Sequence, residues 1–256
     1  MTHYTNSTQP IQSPFSHSGA GYVIKGFELI RIKGIRRFVF IPLLINVLLF
    51  SIAFYYLFLE IEQFMVTVMS WLPQWLDWLS VIIWPVVVLC VLIFFSFIFS
   101  TVSNWLAAPF NGLLSEKIEI ILSEESAPQG SLFDVIKDTP RTLNREWKKL
   151  KYFIPRAIGF FILSFILPVV GQIIWLLFMA WMMAIQYKDY PFDNHKIPFT
   201  IMKDALKEKR GLSYSFGITV SIFSMIPIMN LIIMPVAICG ATALWVDHYK
   251  NDFITK

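Results

Sequence analysis

The chain has 256 residues, 56% hydrophobic and 15% charged, with 21 Lys/Arg against 17 Asp/Glu and two cysteines. This composition indicates an integral membrane protein and excludes a disulfide framework. Cys90 and Cys239 both fall in apolar stretches and read as small buried hydrophobes.

Residues 1–21 are rich in Ser, Thr, Gln and Pro and lack an apolar signal-peptide core, so they are expected as a disordered tail. Residues 22–250 are expected as a single membrane domain, followed by a tail at 251–256. Within it, 22–34 predicts a short, weakly amphipathic segment at the membrane surface. Four tracts then carry no charge: 38–59, 78–115, 157–187 and 211–246. The first two predict transmembrane helices, since a bilayer core of about 30 Å needs about 20 apolar helical residues. Between them, 60–77 carries Ile61, Phe64, Met65 and Val68 at helical spacing and predicts an interfacial helical turn. The second span is expected to pass Pro109, Asn111 and Gly112 and leave the membrane along 114–122.

Residues 116–156 predict a helical cytoplasmic extension, with a loop at 123–130. Over 134–152 the pattern is amphipathic, with Leu143, Trp147 and Leu150 on one face. The cations Arg141, Arg145, Lys148, Lys149 and Lys151 predict contact with lipid headgroups or a soluble anion.

The third and fourth tracts are interrupted near their middles, at Pro168–Gly171 and Pro227–Asn230. Each is too long for one straight span and marginal for two. Both therefore predict re-entrant, hemi-penetrating hairpins, whose turns persist only where protein or water satisfies the backbone. The Lys/Arg distribution agrees. Basic residues precede the first tract and recur at 116–156, 188–210 and the C-terminus, whereas 60–77 has none. Two spans plus two hairpins put every basic segment, and both termini, on the cytoplasmic side. A weak repeat relates the hairpins: Pro168 aligns with Pro227, Ala184 with Ala243 and Tyr190 with Tyr249.

Gly34, Ile35, Arg36 and Arg37 form the leading candidate site. Two guanidiniums stand where the first span begins, at the positive end of its macrodipole. Arg grips tetrahedral oxyanions with two parallel hydrogen bonds, and a glycine lets the backbone approach a ligand. Ordinary span-flanking anchors would look the same. The tracts hold no ionisable residue, which speaks against a buried proton relay. Asn104 and Asn111 are candidates for a path through the membrane or for interhelical hydrogen bonds. The segment Tyr190-Pro191-Phe192-Asp193-Asn194 reads as a capped turn. Asp189, Asp193, His195 and His248 match no standard metal spacing. No metal, cofactor or nucleic-acid partner is expected, and no catalytic or nucleotide-binding motif is present.

Several strings resemble the CysZ sulfate permease family. They are Gly34-Ile35-Arg36-Arg37-Phe38-Val39 with Ile41-Pro42-Leu43-Leu44-Ile45-Asn46, and Asn104-Trp105-Leu106-Ala107-Ala108-Pro109-Phe110-Asn111-Gly112. Pro140-Arg141 with Arg145-Glu146-Trp147, the run from Ala184 to Lys196, and Ile233-Met234-Pro235-Val236-Ala237 complete the likeness. The resemblance covers roughly residues 22–250. It implies sulfate uptake across a bacterial inner membrane for cysteine biosynthesis, without an ATPase, in a homo-oligomer of two spans and two hemi-penetrating hairpins. It also implies proton dependence and sulfate binding at Arg36 and Arg37. Any proton-coupling group is then interfacial, with Glu116 and His195 as candidates. The alternative is a membrane scaffold or sulfate sensor that does not transport.

Overall fold

The computed structural model describes residues 18–71, 78, 80–123 and 132–254. The chain is all-helical there, with no strand among the described residues. The helices are α1 (Gly19–Leu29), α2 (Arg36–Ser70), α3 (Ser80–Ser123), α4 (Leu132–Ile166) and α5 (Val170–Asn194). They continue with α6 (Phe199–Glu208), α7 (Arg210–Ser224), α8 (Pro227–His248) and α9 (Lys250–Phe253). Two compact units form, one from residues 40–108 and one from 1–39 with 109–256.

The 40–108 unit holds most of α2 and the first part of α3. Phe50 and Phe54 on α2 meet Phe95 and Phe99 on α3, with Phe50 and Phe99 centroids 5.0 Å apart. Around this contact the surface is apolar and open: Phe40, Leu44, Tyr56, Phe58, Val81 and Phe94 are all exposed. Residues 47–70 are apolar and long enough to cross a membrane. The helix runs unbroken through Glu60 to Ser70, so the separate interfacial turn expected there is instead the last part of α2. The helical spacing of Ile61, Phe64, Met65 and Val68 holds, and nothing in 60–70 stops the helix. Residues 72–77 and the loop expected at 123–130, apart from Ser123, lie outside the described residues, as do 1–17 and 255–256.

The other unit is built around α1, α5, α7 and α8. Its core joins Tyr22 and Val23 to Leu114 and Ile118 of α3, Ala184 and Phe192 of α5, Phe216 of α7 and Trp245 of α8. The segment expected at the membrane surface is therefore buried as α1. Ser18 caps it, its hydroxyl accepting from the Gly21 N–H, so the helix opens inside the stretch expected as tail. Glycines let it sink in. A Cβ on Gly240 would stand 2.3 Å from the Tyr22 carbonyl oxygen, and one on Gly26 2.2 Å from that of Val236. Gly217 of α7 seats on Ala180 of α5 in the same way, at 1.8 Å for a Cβ.

Both interrupted tracts form helix pairs, and the breaks differ in detail from expectation. α4 runs through Pro140 and Pro155 without interruption, so the amphipathic segment and the first arm are one helix. It ends at Ile166, and the chain turns through Pro168 and Val169. Val169 has φ 70° and ψ −63°, and the Val170 N–H donates to the Pro168 carbonyl at 2.9 Å. This is a γ-turn in its strained form, unusual for a β-branched residue. Gly171 is already inside α5, where a Cβ would meet Ser164 Cα at 2.6 Å. It serves close packing of the two arms, which Phe160 and Phe161 extend onto Phe178 and Trp175. In the second pair the break is at Met225 and Ile226. Pro227 opens α8, where its missing N–H costs nothing, and Asn230 lies within that helix. Pro168 and Pro227 thus occupy different places in their turns. The first pair is also unequal: α5 continues to Asn194 and is itself long and apolar enough to cross a membrane.

The glycine contacts yield a first prediction. Gly240→Val should force α1 and α8 apart and cost about 1–3 kcal/mol of stability. Thermal unfolding in detergent checks this; an unchanged midpoint would rule out the close α1–α8 approach.

Candidate functional site

Gly34 to Arg37 link α1 to α2. The Ile32 carbonyl accepts from the Ile35 N–H at 3.1 Å, closing a turn, and Gly34 within it has φ 94°, a left-handed conformation that favours glycine. Ile35 is fully buried and belongs to the core cluster, so it pins the turn. Arg36 and Arg37 are the first two residues of α2, and both are exposed. Arg37 lies 5.2 Å from the Phe38 ring centroid. Among the described residues neither guanidinium is ion-paired to a carboxylate. First-turn N–H groups have no intrahelical carbonyl to bond. The turn thus presents two cations beside the Arg36 and Arg37 N–H groups, with open space over Gly34, while the Phe38 N–H donates to the Ile35 carbonyl at 2.9 Å.

The other sequence candidates sit elsewhere. Asn111 is buried, and its side-chain amide donates to the Tyr190 hydroxyl at 3.1 Å, a contact between α3 and α5. Asn104 lies on α3 in the other unit, and its side chain is outside the described residues. Glu116 is half-buried; burial, then repulsion from Glu119, pushes its carboxyl above the usual range, against pulls from His195 and Lys117. His195 Nε2 stands 2.9 Å from both oxygens of Glu119, and its ring stacks on Trp245 at 5.3 Å. No described hydrogen bond or ion pair links Gly34–Arg37 to Asn111, Glu116 or His195.

The structure also gathers charged residues that the sequence reading left scattered. Arg145 is buried and forks onto Asp189, its Nη2 donating to Oδ1 at 2.7 Å and its Nε to Oδ2 at 3.0 Å. Its Nη1 donates to the Ile197 carbonyl and lies 3.1 Å from Asp193. Arg141 bonds Asp193 with both terminal nitrogens. Lys149 reaches Asp189 at 3.3 Å and Glu146 at 2.5 Å. Burial alone would push the Lys149 ammonium down, but Asp189 and Glu146 outweigh it and hold it above the ordinary lysine range. Arg145 and Lys149 therefore do not face lipid headgroups as expected. Nor do Asp193 and Asn194 cap a turn, because α5 runs through both and the Asn194 amide donates to the Gly112 carbonyl. A signal was present in the sequence: Arg141, Arg145 and Lys149 repeat every four residues, as do Asp189 and Asp193.

A second network surrounds Glu119. Burial raises its pKa. The His195 hydrogen bond and charge, the Trp245 indole and the Lys250 ammonium outweigh that and leave the carboxyl below its usual range. Lys250 also donates to Ser123 at 2.9 Å, so α3, α5, α8 and α9 meet here.

Two outcomes follow from these networks. Asp189→Asn strips the negative partner shared by buried Arg145 and Lys149, leaving each with one acid (Asp193 and Glu146), and should cost about 3 kcal/mol. Arg36→Ala should stay within about 0.5 kcal/mol. Denaturant unfolding in detergent would compare them, and equal effects would refute the division between structural and free arginines. Glu119 has a depressed folded-state pKa, so its contribution is present above the unfolded carboxylate value of about 4.3 and is lost as pH falls through the folded one. Wild type should therefore lose stability between neutral and acid pH more steeply than Glu119→Gln, as read by unfolding midpoints across pH.

A family model described as Sulfate transporter CysZ/Etoposide-induced protein 2.4 matches residues 22–235, which include Gly34–Arg37, the Arg145–Asp189 network, the α4–α5 pair, α7 and the first part of α8. The match spans most of the chain, which belongs to this transporter family.

Proposed function

We propose that the chain takes up sulfate across the inner membrane of a bacterium, supplying sulfur for cysteine biosynthesis. The observation that carries this is the pair Arg36–Arg37, exposed, free of described carboxylates and set at the start of α2 beside Gly34, in a chain of a sulfate-transporter family. Arg145, by contrast, is saturated by its own acids.

A sulfate dianion holds its water strongly, so a site must replace that water with comparable donors. Arg36 and Arg37 offer two planar forks, each matched to two oxygens of a tetrahedral anion. The first-turn N–H groups of α2 and its positive end add to the field. Gly34 leaves the approach clear of side-chain bulk. The site is then a capture point, and onward passage runs past uncharged groups, because the apolar tracts offer no fixed charge.

Membrane insertion is supported by the open apolar surfaces of α2, α3 and the paired arms of α4 and α5. In this reading α2 and α3 span the bilayer, and the α4–α5 and α7–α8 pairs enter and leave by the cytoplasmic face. The α4 arm from 157 to 166 supports this, because at 1.5 Å per residue it reaches about 15 Å, half the hydrocarbon thickness. Both termini then lie in the cytoplasm, and a homo-oligomer encloses the path. Proton dependence falls to interfacial groups, with Glu116 and His195 as the candidates, His195 acting through Glu119.

Labelled-sulfate uptake into proteoliposomes tests the proposal. Wild type should accumulate sulfate, faster with an inward proton gradient, and Arg36→Ala/Arg37→Ala should reduce uptake about tenfold or more. Full activity in the double variant would remove the site. Absence of wild-type uptake, in vesicles that hold folded protein, would point to a scaffold or sensor.

A further inference from the structure

We propose that a cleft bounded by α4, α5, α6 and α7 binds the phosphate of an anionic phospholipid. The inference rests on the membrane reading and is independent of sulfate transport. The cleft measures about 240 Å³ and is lined by Tyr152, Trp181, Lys207, Arg210 and Tyr214.

Its chemistry is that of a headgroup site. Arg210 donates through Nε to the Lys207 carbonyl at 3.1 Å, which steadies the guanidinium. Among the described residues it has no carboxylate partner. Lys207 pairs with Asp204 at 2.8 Å, but both are well exposed, and such a pair is worth little in water. Two further cations border the cleft at Tyr152: the Arg156 guanidinium lies 3.8 Å from its ring centroid and the Lys203 ammonium 5.2 Å. Trp181 and Tyr214 pack 5.5 Å apart on the opposite wall. Aromatic rings with a polar edge, ringed by Lys and Arg, suit the layer between water and hydrocarbon.

Position selects a lipid over a free anion. Tyr152 marks the change of character along α4. Lys148 and Lys151 are exposed just before it, whereas Ile162 and Ile166, which helical periodicity brings round to the Tyr152 side, are exposed after it. A phosphate held at Arg210 and Lys207 would leave acyl chains to lie along that apolar arm. The arm otherwise gains nothing from water, and covering it adds to the attraction of each basic residue for an anionic surface, about 1 kcal/mol apiece. Lipid contact was expected from the Arg145 face of α4. The cations that fit it are instead Arg156, Lys203, Lys207 and Arg210, three of them from α6 and α7.

Native mass spectrometry of the purified full chain, released from nanodiscs of mixed phosphatidylglycerol and phosphatidylcholine, tests the site. Wild type should retain phosphatidylglycerol selectively. Lys207→Gln/Arg210→Gln should lower that retention about tenfold or more, with an unchanged unfolding midpoint. Lys151→Gln, which removes an exposed charge outside the cleft, should retain the lipid like wild type. Equal retention of both lipids, or equal loss in Lys151→Gln, would overturn the proposal. So would displacement of the lipid by millimolar inorganic phosphate, since that result assigns the cleft to a free anion.

Discussion

The buried fork of Arg145 on Asp189 is the interaction on which the larger unit depends. Desolvating a guanidinium and a carboxylate is costly, and their attraction repays it only when geometry is close to ideal and the remaining donors are satisfied. Both conditions hold: three short hydrogen bonds join the pair, and the Ile197 carbonyl and Asp193 take the remaining nitrogen. The pair fixes α4 against the far end of α5 and, through Ile197, the link to α6. Asn111, Asn194 and His195 then tie the end of α3 to the same stretch of α5 and its cap. A polar frame of this kind gives unique partners to helices whose other surfaces are uniformly apolar.

That frame explains why the arginines of this chain divide into two kinds. Arg145 and Arg141 spend their hydrogen-bonding capacity on acids that the fold brings to them. Arg36 and Arg37 stand on a turn pinned by buried Ile35, where no described acid reaches them. A guanidinium already saturated has no donors left for a further anion, whereas an exposed one without a described acid keeps them. The same physics separates Arg210, which faces a cleft, from Lys149, which is enclosed by carboxylates.

Close helix contact supplies the rest of the cohesion. In hydrocarbon, apolar side chains gain little by leaving lipid, so association depends on close packing of small residues. Gly26 and Gly240 bring α1 onto α8, Gly217 brings α7 onto α5, and Gly171 closes the α4–α5 pair. The outward faces of α4 and α5 can therefore remain apolar without driving collapse.

Much of this was legible in the amino-acid order. Charge-free tracts with breakers in the middle predict paired helices, because Pro and Gly end helices locally, and both breaks fall within a few residues of expectation. The start of α2 just after Gly34 was equally visible, since a helix start is a property of adjacent residues, whereas the left-handed backbone of Gly34 emerged only in the fold. The sequence did not disclose that α1 is buried, because burial depends on glycines more than 200 residues apart. Nor did it assign Arg145 to Asp189 rather than to lipid: a basic helical face looks the same from either side until a partner helix is placed against it. Local chemistry decided where helices start and stop, while tertiary contacts decided which charges are satisfied inside the protein and which are left exposed.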